Sequence, residues 1–522
     1  MTINSEVSKI NHFQEIRDIW IQSVLVCLVV FCCAGRAHGQ EVNHITLDAL
    51  RHLRLPDVVL ESATEVGQDL PKDSHAAAHV KVSGIIGGTI RFELLLPDAW
   101  NGRFVMGGGG GFVGSVQNQA GYTVQSGYAT AGTDTGHESK PGTSAEWAFN
   151  NLEAQVNFGY LAVHRTVETA KALMRLYYGS DAAFCYFIGC SRGGGQALME
   201  AQRYPEDFDG IVAGAPALDW PGLAANGVAI QKALYPDPEH LDHTVLDMEA
   251  LRKLQQAILD QCDAQDGLKD GVVQDPPSAH FDLSKVEGLT DSQRKAIEAI
   301  YSGAHNDKGI VYPGFTPGAE CDPGQWILWI VGPVPGMARE HVPDLLFAFS
   351  TQIFKYLIFN NPDWNYSTYD FSNFANDTRL AASYLDATNV NLSAFHQRKG
   401  KLIIWHGWAD PALPPQATID YYRQLKAHDP QAVEYCRLFM VPGCLHCGGG
   451  PGASEVDWLS VISDWVEHST VPERVVAAKS NHGQVEMKRP LYNYPMTAIY
   501  KGSGDPASAD SFTAKGASEA AP

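Results

Sequence analysis

The feature that most constrains the fold of this chain is the pentapeptide Gly189–Gly193, of sequence Gly-Cys-Ser-Arg-Gly. It matches the Gly-x-Ser-x-Gly pattern of a nucleophile elbow, a sharp turn that carries a serine hydroxyl between a buried strand and the helix after it. Glycines flank the serine because side chains would clash inside so tight a turn. The apolar run Phe184–Ile188 precedes the motif, and the stretch Gly194–Tyr204 is typical of a helix. The sequence therefore predicts a strand, an elbow centred on Ser191, and a helix.

Two later residues complete the pattern of a catalytic triad. Asp410 follows the strand-like run Lys401–Trp405, and His446 follows the run Tyr435–Val441. The order serine, aspartate, histidine is that of the α/β-hydrolases, whose acid and base stand on loops after successive late strands. In such a triad Ser191 attacks a carbonyl carbon, His446 accepts the serine proton, and Asp410 orients the imidazole. Each residue alone could be an ordinary loop residue, and it is their common order and placement that favours the triad.

A cysteine stands directly beside the predicted nucleophile and another beside the predicted base. These are Cys190, before Ser191, and Cys447, after His446. If the serine and the histidine meet in space, the two cysteines come close as well, and we hypothesise a disulfide between them. A rival interpretation makes Cys190 the nucleophile, but the central position of the elbow belongs to Ser191, so the serine is favoured.

Length and charge limit the kinds of protein that this chain can be. It has 522 residues, more than one ordinary core accommodates, so we expect two domains or one domain with a large insertion. The apolar share of 45% and the charged share of 19% are those of a globular protein. The net charge of −21 makes nucleic acid and anionic membrane surfaces poor candidate partners.

An apolar run near the start predicts export. Residues Ile19–Ala34 are too few to span a membrane comfortably, and Ala37-His38-Gly39 is a plausible cleavage site. We therefore predict a signal peptide over residues 1–39, a secreted or periplasmic protein, and no stable membrane association after the signal is removed. An uncleaved anchor is the alternative.

Strand-like and helical patterns divide the rest of the chain. Strand-like runs begin near Val80, and the pattern changes after the elbow region to helical pieces, acidic turns and aromatic clusters. The run at Lys401–Trp405 resumes the sheet. These shifts predict an α/β protein with a large domain inserted between the nucleophile strand and the acid strand. The predicted parts are residues 40–217 and 396–502 for the main domain, 218–395 for an inserted lid domain, and 503–522 for a disordered tail.

A glycine-rich run at Gly107–Gly111 follows an early strand-like run. Gly109, Gly111 and Gly114 fit the Gly-x-Gly-x-x-Gly pattern of dinucleotide binding, but no amphipathic helix follows them, so that interpretation is disfavoured. In a hydrolase such a loop supplies one oxyanion donor, and the amide after the nucleophile supplies the other. We expect the amides of Arg192 and of Gly110 or Gly111 to fill these roles.

An acidic stretch in the predicted insertion offers oxygen ligands. Calcium prefers six to eight oxygens, and the loop can supply carboxylates and main-chain carbonyls, although its spacing is not that of an EF-hand. From the residues alone, a solvated acidic turn is the slightly favoured interpretation. The possible ligands are the side chains of Asp263, Asp266 and Asp270 and the carbonyls of Leu268 and Val272.

Taken together, these motifs resemble those of the tannase and feruloyl esterase family, which also contains mono(2-hydroxyethyl) terephthalate hydrolases. The resemblance extends from about Asp98 to Gly450 and is specific because the motifs occur jointly. The matching stretches are Asp98–Phe104, Thr133–His137, Gly189–Gly194, Cys262–Ala264 with Asp270–Gly271, His406–Pro411, Val441–Gly443 and His446–Gly450.

The resemblance implies an α/β-hydrolase fold with a lid inserted after the elbow. It also implies the triad above, a Cys190–Cys447 bridge and a structural calcium ion in the lid, bound by the five residues named for the acidic loop. We therefore expect a secreted serine carboxylesterase acting on esters of small aromatic (phenolic) acids. We also expect aromatic residues of the lid, such as Phe354, Tyr356 and Phe359, to hold the ring. The alternatives are a terephthalate half-ester hydrolase and a catalytically inactive, calcium-stabilised binding protein.

The chain departs from the family pattern at two cysteine positions. Relatives often carry cysteines where this chain has Val80 and near Ala279. Cys262 therefore lacks its usual local partner. We expect either that the lid depends more heavily on calcium or that Cys262 pairs with Cys321.

Overall fold

The computed structural model describes residues 45–67, 77–322, 325–337 and 342–516. The predicted signal peptide lies outside these residues. The strands, in chain order, are β1 (Val58–Val66), β2 (His79–Ile86), β3 (Ile90–Pro97), β4 (Arg103–Gly107), β5 (Ala129–Thr133), β6 (Phe184–Cys190), β7 (Gly210–Gly214), β8 (Ala304–Asn306), β9 (Gly309–Tyr312), β10 (Lys401–Gly407), β11 (Cys436–Val441), β12 (Arg474–Asn481), β13 (Gln484–Tyr492), β14 (Met496–Tyr500) and β15 (Phe512–Gly516).

Nine of these strands form one mixed sheet in the order β1-β2-β3-β5-β4-β6-β7-β10-β11. The pairs from β1 to β3 and from β3 to β5 are antiparallel, and every pair from β5 onward is parallel. β2 alternates buried and half-buried residues, whereas β7 and β11 are buried throughout. That difference is expected because helices cover both faces of a parallel sheet.

Helices connect and cover the strands. The α-helices are Leu47–Arg51, Leu152–Val156, Ala162–Tyr178, Arg192–Arg203, Trp220–Leu234, Met248–Cys262, Asp291–Ser302, Leu345–Gln352, Phe374–Asp377, Arg379–Leu385, Ser393–Gln397, Pro415–His428 and Trp458–His468. Single π-helical turns occupy Asn157–Leu161, Ile327–Val331 and Ile353–Ile358. Among the described residues, no helix is both long enough and apolar enough to span a membrane.

The stretch between β7 and β10 contributes no strand to the large sheet. Its two described strands, β8 and β9, pair only with each other. The helices of this stretch share one buried core with Phe112 and Phe158, which belong to the part of the chain before the elbow. The glycine-rich loop is therefore packed against the inserted stretch. The boundaries of the insertion as a separate domain stay a prediction.

The end of the chain is more ordered than its composition predicts. Strands β14 and β15 pair over five residues each, and Phe512 is buried with the guanidinium of Arg489 over its ring. The prediction of a disordered tail from residue 503 is therefore wrong for residues 503–516, because strand pairing and one buried ring outweigh a small, polar composition. Residues 517–522 lie outside the described part of the chain.

Candidate active site

The predicted elbow is present at the end of β6. Ser191 has φ 66° and ψ −122°, a strained conformation for a residue with a side chain, and the helix Arg192–Arg203 begins directly after it. A Cβ atom on Gly189 would lie 2.6 Å from the backbone of Gly193, so the turn requires glycine. The Ser191 amide donates to the carbonyl of Gly214 on the neighbouring strand β7 at 3.0 Å. The backbone thus presents the Ser191 hydroxyl at the carboxyl edge of the sheet.

Three predicted catalytic residues meet at this edge. The Nε2 atom of His446 lies 2.8 Å from the Oγ of Ser191, and its Nδ1 lies 2.9 Å from Oδ2 of Asp410. Asp410 follows β10 and His446 follows β11, and these strands are adjacent and parallel. Since the carboxyl ends of parallel strands share one edge, residues that are far apart in sequence come together there.

Asp410 is held as a carboxylate. Burial alone would raise its pKa, but the neighbouring His446 and His406 outweigh burial and hold the pKa of Asp410 well below its ordinary value. One carboxylate oxygen also accepts the amides of Ala412 and Leu413, at 2.8 and 3.0 Å. A fixed anion at Nδ1 of His446 keeps the proton on that nitrogen and leaves Nε2 free to accept the serine proton.

A disulfide links the nucleophile to the base. Cys190 and Cys447 are bonded, with their Cα atoms 5.8 Å apart and a sequence separation of 257. The disulfide that was hypothesised because Cys190 is adjacent to Ser191 and Cys447 to His446 is therefore confirmed. Its sulfur being bonded, Cys190 is not available as a nucleophile. Cys262 and Cys321 are both free thiols, so the expected alternative pairing between them is wrong. The Sγ of Cys262 lies instead 3.6 Å from the carbonyl of Ala279, the position near which relatives carry a cysteine.

Three glutamines fix the glycine-rich loop beside the elbow. The Gly109 amide donates to Oε1 of Gln196 at 3.0 Å, and the Gly110 amide donates to Oε1 of Gln117 at 2.7 Å. Gln119 bonds both the amide and the carbonyl of Cys190. These glutamines were not predicted, because isolated glutamines far apart in sequence form no recognisable pattern.

The same hydrogen bonds distinguish Gly110 from Gly111, the two glycines predicted as alternative oxyanion donors. The Gly110 amide is already bonded, whereas the Gly111 amide makes no hydrogen bond within the described part of the chain. The amide of Arg192 is the first of the helix Arg192–Arg203, where an N–H group has no intrahelical acceptor. Of the predicted donors, the amides of Gly111 and Arg192 are therefore the ones without a hydrogen bond in the described part of the chain.

The side chain of Arg192 points into the protein. Its guanidinium lies 4.2 Å from the ring centroid of Phe158 and donates to the carbonyls of Phe158 and Gly159. Burial lowers the pKa of Arg192 to about 9. The residue therefore combines a backbone amide that has no partner among the described residues with a buried cation behind it.

Aromatic side chains line one side of the triad. The ring of Trp329 lies edge-on to His446 at 5.1 Å and stacks on Phe349 at 6.2 Å, and Phe349 contacts Phe112 at 5.0 Å. Trp329 and Phe349 are half-buried, so both keep exposed ring surface.

The aromatic residues predicted for this role lie in a different cluster. Phe354 is fully buried and stacks on Trp364 at 4.6 Å, and Phe359 packs on the same pair. Tyr356 contacts Phe149. The prediction is wrong because an aromatic run at helical spacing packs most of its rings into the core of its own segment.

The acidic loop is held together mainly by its own amides. Oδ1 of Asp263 accepts the amides of Asp270 and Gly271 at 3.2 and 3.0 Å, and Oδ1 of Asp266 accepts the amide of Leu268 at 3.0 Å. Oδ2 of Asp270 pairs with Nη2 of Arg489 at 2.7 Å. In the described part of the chain, no three His, Cys, Asp or Glu side chains are arranged to hold a metal ion.

Other properties of this loop suit a hard cation. The carbonyls of Leu268 and Val272 accept no hydrogen bond from the described residues. Burial, together with the charges of Asp270 and Asp263, raises the pKa of Asp266 to about 6, so the carboxylates are crowded. All five predicted ligands offer oxygen, which is the donor type that calcium prefers.

Comparison with known proteins places the chain in a family. The family model described as "Tannase and feruloyl esterase" matches residues 74–515. An uncharacterized esterase of Xanthomonas campestris pv. campestris is 33% identical, with 88% of this chain and 89% of that protein covered. The mono(2-hydroxyethyl) terephthalate hydrolase of Piscinibacter sakaiensis is 31% identical, with 83% and 85% covered. The crystal structure of feruloyl esterase B from Aspergillus oryzae aligns with a TM-score of 0.78 at 25% identity, covering 90% of this chain and 100% of that one. The chain therefore belongs to the tannase and feruloyl esterase family, and it is a carboxylic ester hydrolase with an α/β-hydrolase fold.

Proposed function

We propose that this enzyme hydrolyses esters of small aromatic acids through an acyl-serine intermediate. The observation that carries the proposal is the continuous hydrogen-bonded array from Ser191 through His446 to Asp410, with distances of 2.8 and 2.9 Å. An intact array of this kind argues against the alternative of an inactive binding protein, which would have no need of an aligned nucleophile and base.

The proposed reaction proceeds in two steps. His446 accepts the proton of Ser191 as the hydroxyl attacks the ester carbonyl, and then donates that proton to the departing alcohol. Water, activated by the same histidine, hydrolyses the acyl-enzyme and releases the acid. The amides of Gly111 and Arg192 stabilise the negative oxygen of each tetrahedral intermediate, and loss of one such donor typically costs about 10²–10³ in kcat.

The side chains of Trp329 and Phe349 favour a substrate with an aromatic acyl group. The half-buried ring of Trp329 lies against His446 and stacks on the half-buried ring of Phe349, so an acyl group on Ser191 would have aromatic neighbours. Aromatic rings pair favourably in offset or edge-to-face arrangements, each worth about 0.5–1.5 kcal/mol beyond simple burial. The names of the relatives, feruloyl esterase and terephthalate half-ester hydrolase, point to the same class of acid.

We also propose that the acidic loop binds a structural calcium ion. Asp263, Asp266 and Asp270 would supply carboxylate oxygens, and Leu268 and Val272 their unused carbonyls. The ion would offset the crowded negative charge of the loop and stabilise the inserted stretch. It has no part in the proposed chemistry at Ser191.

Export of the enzyme is part of the proposal. The apolar run Ile19–Ala34 supports a cleaved signal, and the Cys190–Cys447 bridge suits an oxidising compartment. The sequence of the purified N-terminus after secretion would test it: a start near residue 40 supports cleavage, and an intact Met1 contradicts it.

A rate panel tests the proposed activity. Methyl ferulate, methyl gallate and a terephthalate half-ester are compared for the wild type, for Ser191→Ala, and for Ser393→Ala, which alters an exposed serine outside the triad and serves as control. We expect turnover of at least one ester by the wild type and the control, and none above background by Ser191→Ala. Equal rates for wild type and Ser191→Ala would refute the serine mechanism. Preference for the half-ester would identify the terephthalate-type alternative.

A further inference from the structure

His137 is a buried histidine close to the site that is not part of the triad. It lies in the loop after β5, and only 8% of its surface is exposed. Its ring stacks on Trp147 with centroids 3.6 Å apart and planes 17° apart. The stacking fixes the plane of the imidazole and thereby the direction of its nitrogen atoms.

The Nε2 atom of His137 lies 2.9 Å from the carbonyl oxygen of Phe112. A carbonyl can only accept, so Nε2 carries the hydrogen and donates it. Burial, with a smaller contribution from the charge of Arg192, lowers the pKa of His137 to about 4, so the ring is neutral at ordinary pH. His137 is therefore a permanent hydrogen-bond donor to the glycine-rich loop.

This hydrogen bond continues through two peptide groups to the Gly111 amide. The peptide whose carbonyl accepts from His137 has the Val113 amide at its other end, and that amide donates to the Gly110 carbonyl at 3.0 Å. Neither peptide is cis, so in each the carbonyl and the N–H point in opposite directions. The Gly111 amide consequently points away from Val113, and it makes no hydrogen bond among the described residues.

The loop would not keep this conformation unaided. Gly111 has φ 55°, and Val113 has φ 41°, which is a region that β-branched residues rarely adopt. A strained backbone of this kind persists only where the surrounding structure imposes it. The amides of Phe112 and Gly114 are held by the carbonyls of Gly142 and Asp134, and among the described residues it is His137 that holds the Phe112 carbonyl.

We propose that His137 is a positioning residue for ester hydrolysis: it holds the Phe112–Val113 peptide and, through it, aims the Gly111 amide at the oxyanion. This inference rests on the proposed function, since it needs an oxyanion to bind at Gly111. Hydrogen bonds in such a chain polarise one another, so the same arrangement also strengthens the Gly111 amide as a donor.

Steady-state kinetics of His137→Leu and His137→Gln test the proposal. The leucine variant loses the donor, whereas glutamine retains an N–H group at similar reach. We expect kcat of His137→Leu to fall about 10- to 100-fold, which does not exceed the fall in kcat that loss of the oxyanion donor itself would cause. We expect KM to change less than about twofold. We expect log kcat of His137→Gln to lie above that of His137→Leu by at least a third of the difference between His137→Leu and the wild type. Unchanged kcat, a change confined to KM, or no recovery with glutamine would each overturn the proposal.

His164→Leu is the matched control. His164 also stacks on an aromatic ring, that of Tyr204 at 3.7 Å, but its hydrogen bond goes to Asp207 and not to the glycine-rich loop. We expect its kcat to stay within about twofold of the wild type. A loss equal to that of His137→Leu would show that removing any stacked histidine lowers activity, and it would overturn the specific role of His137.

A measurement on the wild type keeps the proposal testable if the variants fail to fold. With ¹⁵N-labelled histidine, NMR distinguishes the two neutral tautomers, and we expect His137 to carry its hydrogen on Nε2. The Nδ1–H tautomer would overturn the proposal, because the bond to Phe112 would then be impossible. Absence of all ester turnover by the wild type would overturn the proposed function and this inference together, whereas a fully active His137→Leu beside an active wild type would overturn only the inference.

Discussion

The disulfide between Cys190 and Cys447 gives the sharpest prediction. We expect its removal by the double substitution Cys190→Ser, Cys447→Ser to lower activity at temperatures where the protein is still folded. The bridge closes a loop of 257 residues, and the chain-entropy relation assigns such a loop about 5–6 kcal/mol of stability, an upper figure that measured bridges often do not reach.

The effect on activity follows from the geometry of the site. The bridge joins the residues adjacent to Ser191 and His446, whose reacting atoms are 2.8 Å apart. A displacement of about 1 Å of a catalytic group can cost on the order of 10²-fold in rate. Asp410 still holds Nδ1 of His446 when the bridge is absent, so we expect a smaller loss of kcat, about 10- to 100-fold.

The assay compares turnover of an aromatic methyl ester with the thermal unfolding curve, for the double variant and for reduced wild type. Cys321→Ser, which alters a free thiol, is the control and should match the wild type. Free-thiol titration verifies the state of the bridge. Unchanged turnover after verified loss of the bridge would refute the reasoning, and so would a loss of activity that only follows the unfolding curve.

Buried and crowded carboxylates give three more expected outcomes. Asp410→Asn should reduce kcat by about 10⁴-fold with little change in KM, because the imidazole of His446 loses its fixed tautomer. A fall in kcat of less than tenfold in steady-state kinetics would contradict this. Removal of calcium with a chelator should lower the melting temperature by several degrees, and added calcium, but not magnesium, should restore it. If the melting temperature of Asp266→Asn responds to chelator and calcium as the wild type does, the assigned ligands are contradicted. Burial raises the pKa of Asp134 to about 6 from 3.8, so folding stability should fall by up to about 3 kcal/mol as the pH rises through that range. The free energy of unfolding of Asp134→Asn, measured by denaturant titration at several pH values, should not show this fall. The prediction would be refuted if its slope against pH equalled that of the wild type.

Much of the site could be predicted from the chain itself. The elbow at Ser191 has a local signature, because strand, turn and helix each depend on residues adjacent in sequence. Asp410 and His446 could be placed because each stands just after a recognisable buried strand, and strands β10 and β11 end at the same edge. The Cys190–Cys447 bridge then followed from adjacency to residues that were already placed.

The aromatic contacts show where such prediction fails. Phe354 lies in a conspicuous aromatic run, yet its ring is fully buried against Trp364, while Trp329 borders His446 from a short π-helical turn. Periodicity indicates that a segment is apolar on one side, but it does not state which other segment that side will face. The tail was misjudged for a related reason, since the pairing of β14 with β15 depends on a partner strand and not on composition.

What the sequence by itself determined is therefore the strands that carry the triad, the elbow and the identity and order of the candidate triad, because these depend on local patterns and on the rule that parallel strands end together. Only the tertiary structure decided that Gly111 and not Gly110 has the free amide, that Cys262 stays unpaired, and that His137 reaches the loop. Each of these depends on hydrogen bonds or contacts between residues far apart in the chain, such as Gly109 and Gln196, whose sequence separation is 87. Such pairs share no spacing or periodicity, so they are fixed only when the packed fold brings them together.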